Sequence, residues 1–129
     1  MRLFGEAMRA RLKSLRSDEI EDLARFVPEV PDDFAVPVVL EVGVLGARGR
    51  ERFELLVVTP RWLEARHGRA GTVLGHGLLI VFEWDYPRLK AFLARQVEAC
   101  SAATWPELAR QVGRIAEWEG RDENVVGLR

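Results

Sequence analysis

The chain is short of the residues from which most reactive centres are built. Its 129 residues include one cysteine, Cys100, and two histidines, His67 and His76. A single cysteine excludes an internal disulfide, which suits a reducing compartment. The two histidines flank a glycine-rich stretch without any paired metal-ligand motif, so they read as exposed loop residues and no metal is expected. There is no Gly-x-Ser-x-Gly elbow. No phosphate-cradling glycine loop precedes a helix, so no nucleotide cofactor is expected. No apolar run approaches the ~20 residues a membrane span needs. The opening Met-Arg-Leu-Phe-Gly-Glu turns charged too soon for a signal peptide, and a cytoplasmic location is expected. The net charge of −1 gives no global attraction to nucleic acid or to a membrane, and neither is expected as a partner.

What is present is an ordinary globular composition, 48% hydrophobic and 30% charged. The length suits a single domain over 1–129, with 1–7 and 121–129 as loose termini. The charge is polarised along the chain. Between Ser17 and Asp33 seven acids (Asp18, Glu19, Glu21, Asp22, Glu29, Asp32 and Asp33) stand against Arg25. Between Arg48 and Arg69 six arginines stand against three glutamates. A solvated surface accounts for such blocks, and so does a binding face.

The apolar pattern predicts an α+β fold around an antiparallel sheet of about four strands, roughly 8–15, 36–45, 52–58 and 78–84. Met8, Ala10, Leu12 and Ser14 alternate with Arg9, Arg11, Lys13 and Leu15, as an edge strand with one basic face would, although arginine, leucine and lysine also suit a helix. Ser17 or Asp18 could cap one helical turn through Leu23. Pro28 and Pro31 then force an extended connection. Val38, Leu40, Val42 and Val44 share a face, and Phe53, Leu55 and Val57 share another across a hairpin turned by Gly46 and Gly49. Thr59-Pro60 predicts a capped short helix over 60–67, with Trp62 and Leu63 folding back onto the sheet. Leu78, Ile80, Phe82 and Trp84 are expected on one face of the last strand. Asp85 with Pro87 opens a helix over 86–100, with Leu89, Phe92, Leu93, Val97 and Cys100 on one stripe. Thr104-Trp-Pro-Glu107 is a capping box that opens a helix over 105–119, with Leu108, Val112, Ile115 and Trp118 at helical spacing.

None of these positions makes a catalytic constellation. Cys100 on an apolar stripe reads as a small buried hydrophobe. Glu83 and Asp85 are two nearby carboxylates at a strand end, but capping explains Asp85, and sugar hydrolysis needs two carboxyls across a cleft. The four tryptophans, Trp62, Trp84, Trp105 and Trp118, fall near element boundaries, where core and interface roles are both open. The residues point to a protein that binds rather than converts.

An ordered set of stretches resembles the immunity protein 8 family of bacterial polymorphic-toxin systems. Ser17-Asp-Glu-Ile-Glu-Asp-Leu23 followed by Pro28-Glu-Val-Pro-Asp-Asp-Phe34 is similar to its acidic opening and proline-aspartate link. Glu41-Val-Gly43, Gly49 and Phe53 resemble its hairpin. Val57-Val-Thr-Pro-Arg-Trp-Leu63 looks like its central signature, in which a cysteine often stands at the place of Val58. Asp85-Tyr86, Cys100, Thr104-Trp105 and Trp118-Glu119 complete the set. The chain departs from the family pattern after Glu119, where Gly120-Arg-Asp-Glu-Asn124 replaces an aromatic and acidic ending. The resemblance implies a non-catalytic inhibitor whose partner is a cognate toxin domain. No catalytic residue carries over from it. Asp18, Glu19, Glu21, Asp22, Asp32 and Asp33 are the candidate partner-binding residues, because an acidic patch speeds encounter with a basic toxin. The alternative is a small scaffold, a homodimer paired through the edge strand at Met8 to Leu15.

Overall fold

A computed structural model describes residues 7–120 of the chain. The expected loose termini therefore fall, Ala7 apart, outside the described residues. The fold is α+β, a curled sheet covered on one face by helices. Strands β1 (Met8–Arg16), β2 (Ala35–Val44) and β3 (Glu51–Val58) form an antiparallel meander. Alternation does the work expected of it. Val36, Val38, Leu40 and Val42 face the core from β2, opposite Phe53, Leu55 and Val57 on β3. Each such side chain, fully buried, contributes about 1.5–3 kcal/mol.

Strand β1 departs from strict alternation. A bulge between Leu12 and Ser14 inserts Lys13 and shifts the phase. Leu15 thereby reaches the core beside Leu40, while Ser14 turns to the other face opposite Glu41. Such an extra residue lets one strand present both Leu12 and Leu15 inward.

Helix α1 (Pro60–His67) follows β3 and leads, through a glycine-rich loop, to β4 (Leu78–Ile80). The crossover makes β4 parallel to β3, a correction to the antiparallel expectation. The strand is also shorter than the expected 78–84. Its inward residues are Leu79 and, just beyond, Val81, while Ile80 is 51% and Phe82 79% exposed. Trp84 does turn inward, edge-on to Phe26 at 5.3 Å and Phe34 at 6.0 Å between ring centroids.

Helix α1 itself buries no residue. Trp62 lies outside the core, beneath the Arg66 guanidinium at 5.4 Å from the ring centre. Trp62 is half-buried and does not take the place in the core that an inward fold onto the sheet would give it. The fully buried polar group at this join is Thr59.

Helix α2 (Tyr86–Glu98) is capped by Asp85, whose side chain accepts from the Arg88 N–H at 3.1 Å. It lays Leu89, Leu93 and Val97 on the sheet and leaves Phe92 39% exposed. It stops short of Cys100 because the chain turns back to pair with β1. The two-residue strand β5 (Ser101–Ala102) lies beside Met8 and Arg9, and Ala10 N–H donates to Cys100 O at 3.1 Å. The start of β1 is therefore covered and is no free edge.

Helix α3 (Trp105–Val112) buries Leu108, Ala109 and Val112 and ends at Gly113, not at 119. The chain then forms β6 (Glu117–Trp118), antiparallel to β3 at Phe53 and Glu54. Strand β4 occupies the outer edge of β3 only along Leu56–Val58, and β6 takes Phe53 and Glu54 on the same edge. Trp118 stacks on Phe53 at 6.2 Å and stands perpendicular to Trp105 at 6.4 Å. Its indole N–H donates to Glu51 Oε1 at 2.7 Å.

Candidate functional site

The acidic segment runs from the end of β1 to the start of β2 and is built of turns. Ser17 Oγ accepts from the N–H groups of Glu19 at 3.1 Å and Ile20 at 3.2 Å. Asp22 Oδ1 accepts from Ala24 N–H at 3.0 Å. These short polar side chains offer the backbone an alternative to the helical turn expected here. Leu23 and Phe34 are buried and pin the segment to the core, leaving its carboxylates at the surface.

The six candidate acids engage different partners. Asp18 joins an ion network on the face of the sheet opposite α2 and α3, with Arg16 at 2.7 Å and with Arg52. The hydrogen bonds from Arg52 and then Arg16 hold its carboxyl below the usual carboxylate range. Glu19 lies beside it. Asp32 and Asp33 turn instead toward Arg61 of α1, at 2.9 and 4.0 Å. Glu21 and Asp22 are exposed and form no ion pair among the described residues.

The ion pairs on this face are organised around two groups, Arg52 and Glu41. Besides Asp18, Arg52 meets Glu119 at 2.6 Å and Glu54 at 3.5 Å. Its guanidinium is held charged more firmly than usual, chiefly by the bond to Asp18. Glu41 accepts from Ser14 Oγ at 2.5 Å and faces Arg50 at 3.4 Å and Arg16 at 3.7 Å. The Ser14 hydroxyl, aided by the two arginines, lowers the Glu41 carboxyl from its ordinary value.

A groove of about 410 Å³ crosses this face. Val39, Leu56 and Leu78 give it apolar surface, and Asp18, Glu19, Glu54 and Glu117 bring carboxylates to it. His76 stands at its end, with Nε2 2.9 Å from Gly113 O, tying the glycine-rich loop to the turn after α3. Sequence reasoning selected Asp18 and Glu19 and missed Glu54 and Glu117. The signal for Glu54 was its position between the inward Phe53 and Leu55. Nothing local marked Glu117, because the expected helix over 105–119 gave it a different neighbourhood.

A second groove, of about 500 Å³, lies between the segment after β4 and helix α2. Phe82, Trp84, Leu89 and Phe92 line it, and Glu83 and Arg88 stand 3.8 Å apart beside it. The buried indole nitrogen of Trp84 has no hydrogen-bond partner among the described residues, and the same holds for Trp105.

Among the described residues no group of three or more His, Cys, Asp or Glu side chains is placed to hold a metal ion. Cys100 is buried, and burial pushes its thiol up from the ordinary value. No helix among the described residues is long and apolar enough to cross a membrane.

A family model for immunity protein 8 matches residues 10–122. The chain belongs to the immunity protein 8 family. The matched span runs from β1 through α3 and β6, so it takes in the whole sheet apart from the first residues of β1. The immunity protein 8 match thus includes the acidic segment, both grooves and the Thr59 join. No curated protein and no solved structure matches the chain.

Proposed function

We propose that the protein neutralises a cognate toxin domain by binding it, without a chemical step of its own. The observation that carries this reading is the immunity protein 8 match across residues 10–122. The protein acts in the cytoplasm of the cell it protects, as part of a bacterial polymorphic-toxin system. The acidic residues Asp18, Glu19, Glu21, Asp22, Asp32 and Asp33 contribute to the toxin-binding face. Their carboxylates are carried on a segment anchored by Leu23 and Phe34, so the charge is presented on a fixed backbone. A surface of this kind raises the association rate and fixes register more than it deepens affinity.

The experiment is co-expression with the toxin encoded beside the gene. Rescue of growth together with a stable complex is the expected result. Absence of both sinks the reading. Charge reversal at Asp32 and Asp33 then addresses the face, with slower association and a weaker salt dependence expected. The homodimeric scaffold relied on a free β1 edge, and β5 covers that edge over its first residues.

A further inference from the structure

The sheet has one face buried under α2 and α3, while the other carries the ion network and the groove between Asp18 and Glu117. On that face Glu54 of β3 and Glu117 of β6 are direct partners in the antiparallel register. Like charges placed opposite each other across a strand pair are destabilising, so the free protein holds an unfavourable arrangement here. Little within the groove offsets it. Arg52 is the arginine that lines the groove, and it is already shared among Asp18, Glu54 and Glu119. Among the described residues, Glu117 has the His76 ring as its ion-pair partner, 3.7 Å away.

We propose that this groove receives a cationic segment of the partner protein, with a lysine or arginine head between Glu54 and Glu117. The partner is the toxin if the reading above holds, and the inference deepens that reading by naming the chemistry of the contact. Lysine and arginine carry an aliphatic stem beneath a charged head. Leu56 and Leu78 offer the stem an apolar floor, and the carboxylates offer the head charge-assisted hydrogen bonds. Binding relieves the repulsion between the two glutamates, and that relief adds to the affinity.

The test uses Glu54→Gln, Glu117→Gln and the double variant, all close to isosteric. Two readouts are taken: thermal melting of the free protein and affinity for the toxin across a salt series. The proposal expects melting temperatures no lower than those of the parent protein. It also expects affinity weaker by about tenfold or more in the double variant, with a shallower salt dependence. Toxin binding unchanged in affinity and salt dependence overturns the proposal and leaves the proposed function standing. A lowered melting temperature in both single variants also overturns it, because the repulsion would then not exist. Should the parent protein fail to bind the toxin, the proposed function falls and a peptide alternating arginine and leucine tests the groove directly. Amide shifts centred on Glu54 and Glu117, absent with a glutamate-leucine peptide and lost in the double variant, support the cationic occupant. No shifts at those positions overturn it.

Discussion

Phe34 and Thr59 are joined twice, backbone to backbone and backbone to side chain. Thr59 N–H donates to Phe34 O at 3.2 Å, and Phe34 N–H donates to Thr59 Oγ1 at 3.3 Å. The same hydroxyl accepts from Trp62 N–H at 3.3 Å, as the N-cap of α1. One buried oxygen thus closes the end of the acidic segment onto β3 and starts the helix that leads to β4.

Replacing that oxygen leaves two N–H groups without their acceptor. Thr59→Val keeps the shape and removes the hydroxyl, and is expected to cost about 2–3 kcal/mol. Thr59→Ser keeps the acceptor and is expected to cost less than about 1 kcal/mol. Urea denaturation of the two variants beside the parent protein measures the difference. Equal losses would mean that the methyl packing, not the hydroxyl, holds the join.

Two glycines outside the positive-φ region give a contrasting pair. A Cβ on Gly43 would stand 2.4 Å from the Gly49 carbonyl oxygen and 2.9 Å from Lys13 Cε. The carbonyl belongs to the backbone, so the hairpin itself must shift. Gly43→Ala is expected to destabilise by about 1–3 kcal/mol. A Cβ on Gly75 meets nothing within 4 Å. Gly75→Ala is expected to be neutral or to stabilise by up to about 1 kcal/mol through the unfolded chain. Thermal melting of both variants reads the contrast.

Strand β6 depends on Trp118, which stacks on Phe53 and donates to Glu51. Trp118→Ala is expected to cost about 3 kcal/mol. It should also raise hydrogen exchange at the β3 amides that face β6. Glu51→Gln retains an acceptor oxygen and is expected to cost less than about 1 kcal/mol. A Trp118→Ala variant with unchanged exchange at Glu54 would show that β6 holds without its tryptophan.

The contrast between β3 and β6 shows what local pattern can and cannot carry. Phe53, Leu55 and Val57 declare a strand face within eight residues, and Thr59-Pro60 and Asp85 declare helix starts by their own side chains. Ile115 and Trp118 also sit at helical spacing, yet the chain leaves the helix at Gly113 to fill the edge of β3 that β4 leaves open. That choice is made by a strand sixty residues away, and no window of sequence contains it. The parallel pairing of β4 and the bulge at Lys13 have the same origin, since both are set by what the neighbouring strand requires. The groove follows suit. Asp18 and Glu19 were legible as acids in an acidic stretch, whereas Glu54 and Glu117 meet only through the β3–β6 register.

Asp18 and Glu41 tie stability to pH in one direction. Both carboxyls lie below their ordinary values in the folded protein, through Arg52 and Arg16 for Asp18 and through Ser14 and the arginines for Glu41. The unfolded chain therefore takes up protons first as the solution is acidified. Their stabilisation is present above the ordinary carboxylate range and is lost as pH falls through it toward the lowered folded values. Urea midpoints at neutral pH and at successively acidic values should fall for the parent protein. The fall should be smaller for a variant carrying Asp18→Asn and Glu41→Gln. Identical acid profiles would place the sensitivity in other carboxylates.

Cys100 ties stability to pH from the other side. It lies just past α2, buried, with Sγ 3.6 Å from Gln96 O. Burial raises its thiol above the ordinary value, because a thiolate there would lose its water. The unfolded chain gives up the proton first as pH rises. The contribution is present below the ordinary thiol value and is lost as pH climbs through it toward the raised folded value. A buried neutral thiol is also a poor nucleophile. Iodoacetamide at neutral pH should leave the native protein unmodified and label it fully once denaturant is added. Cys100→Ala should remove the labelling at a cost of about 1 kcal/mol. Rapid labelling of the native protein would show that the segment between α2 and β5 opens far more readily than its packing against β1 implies.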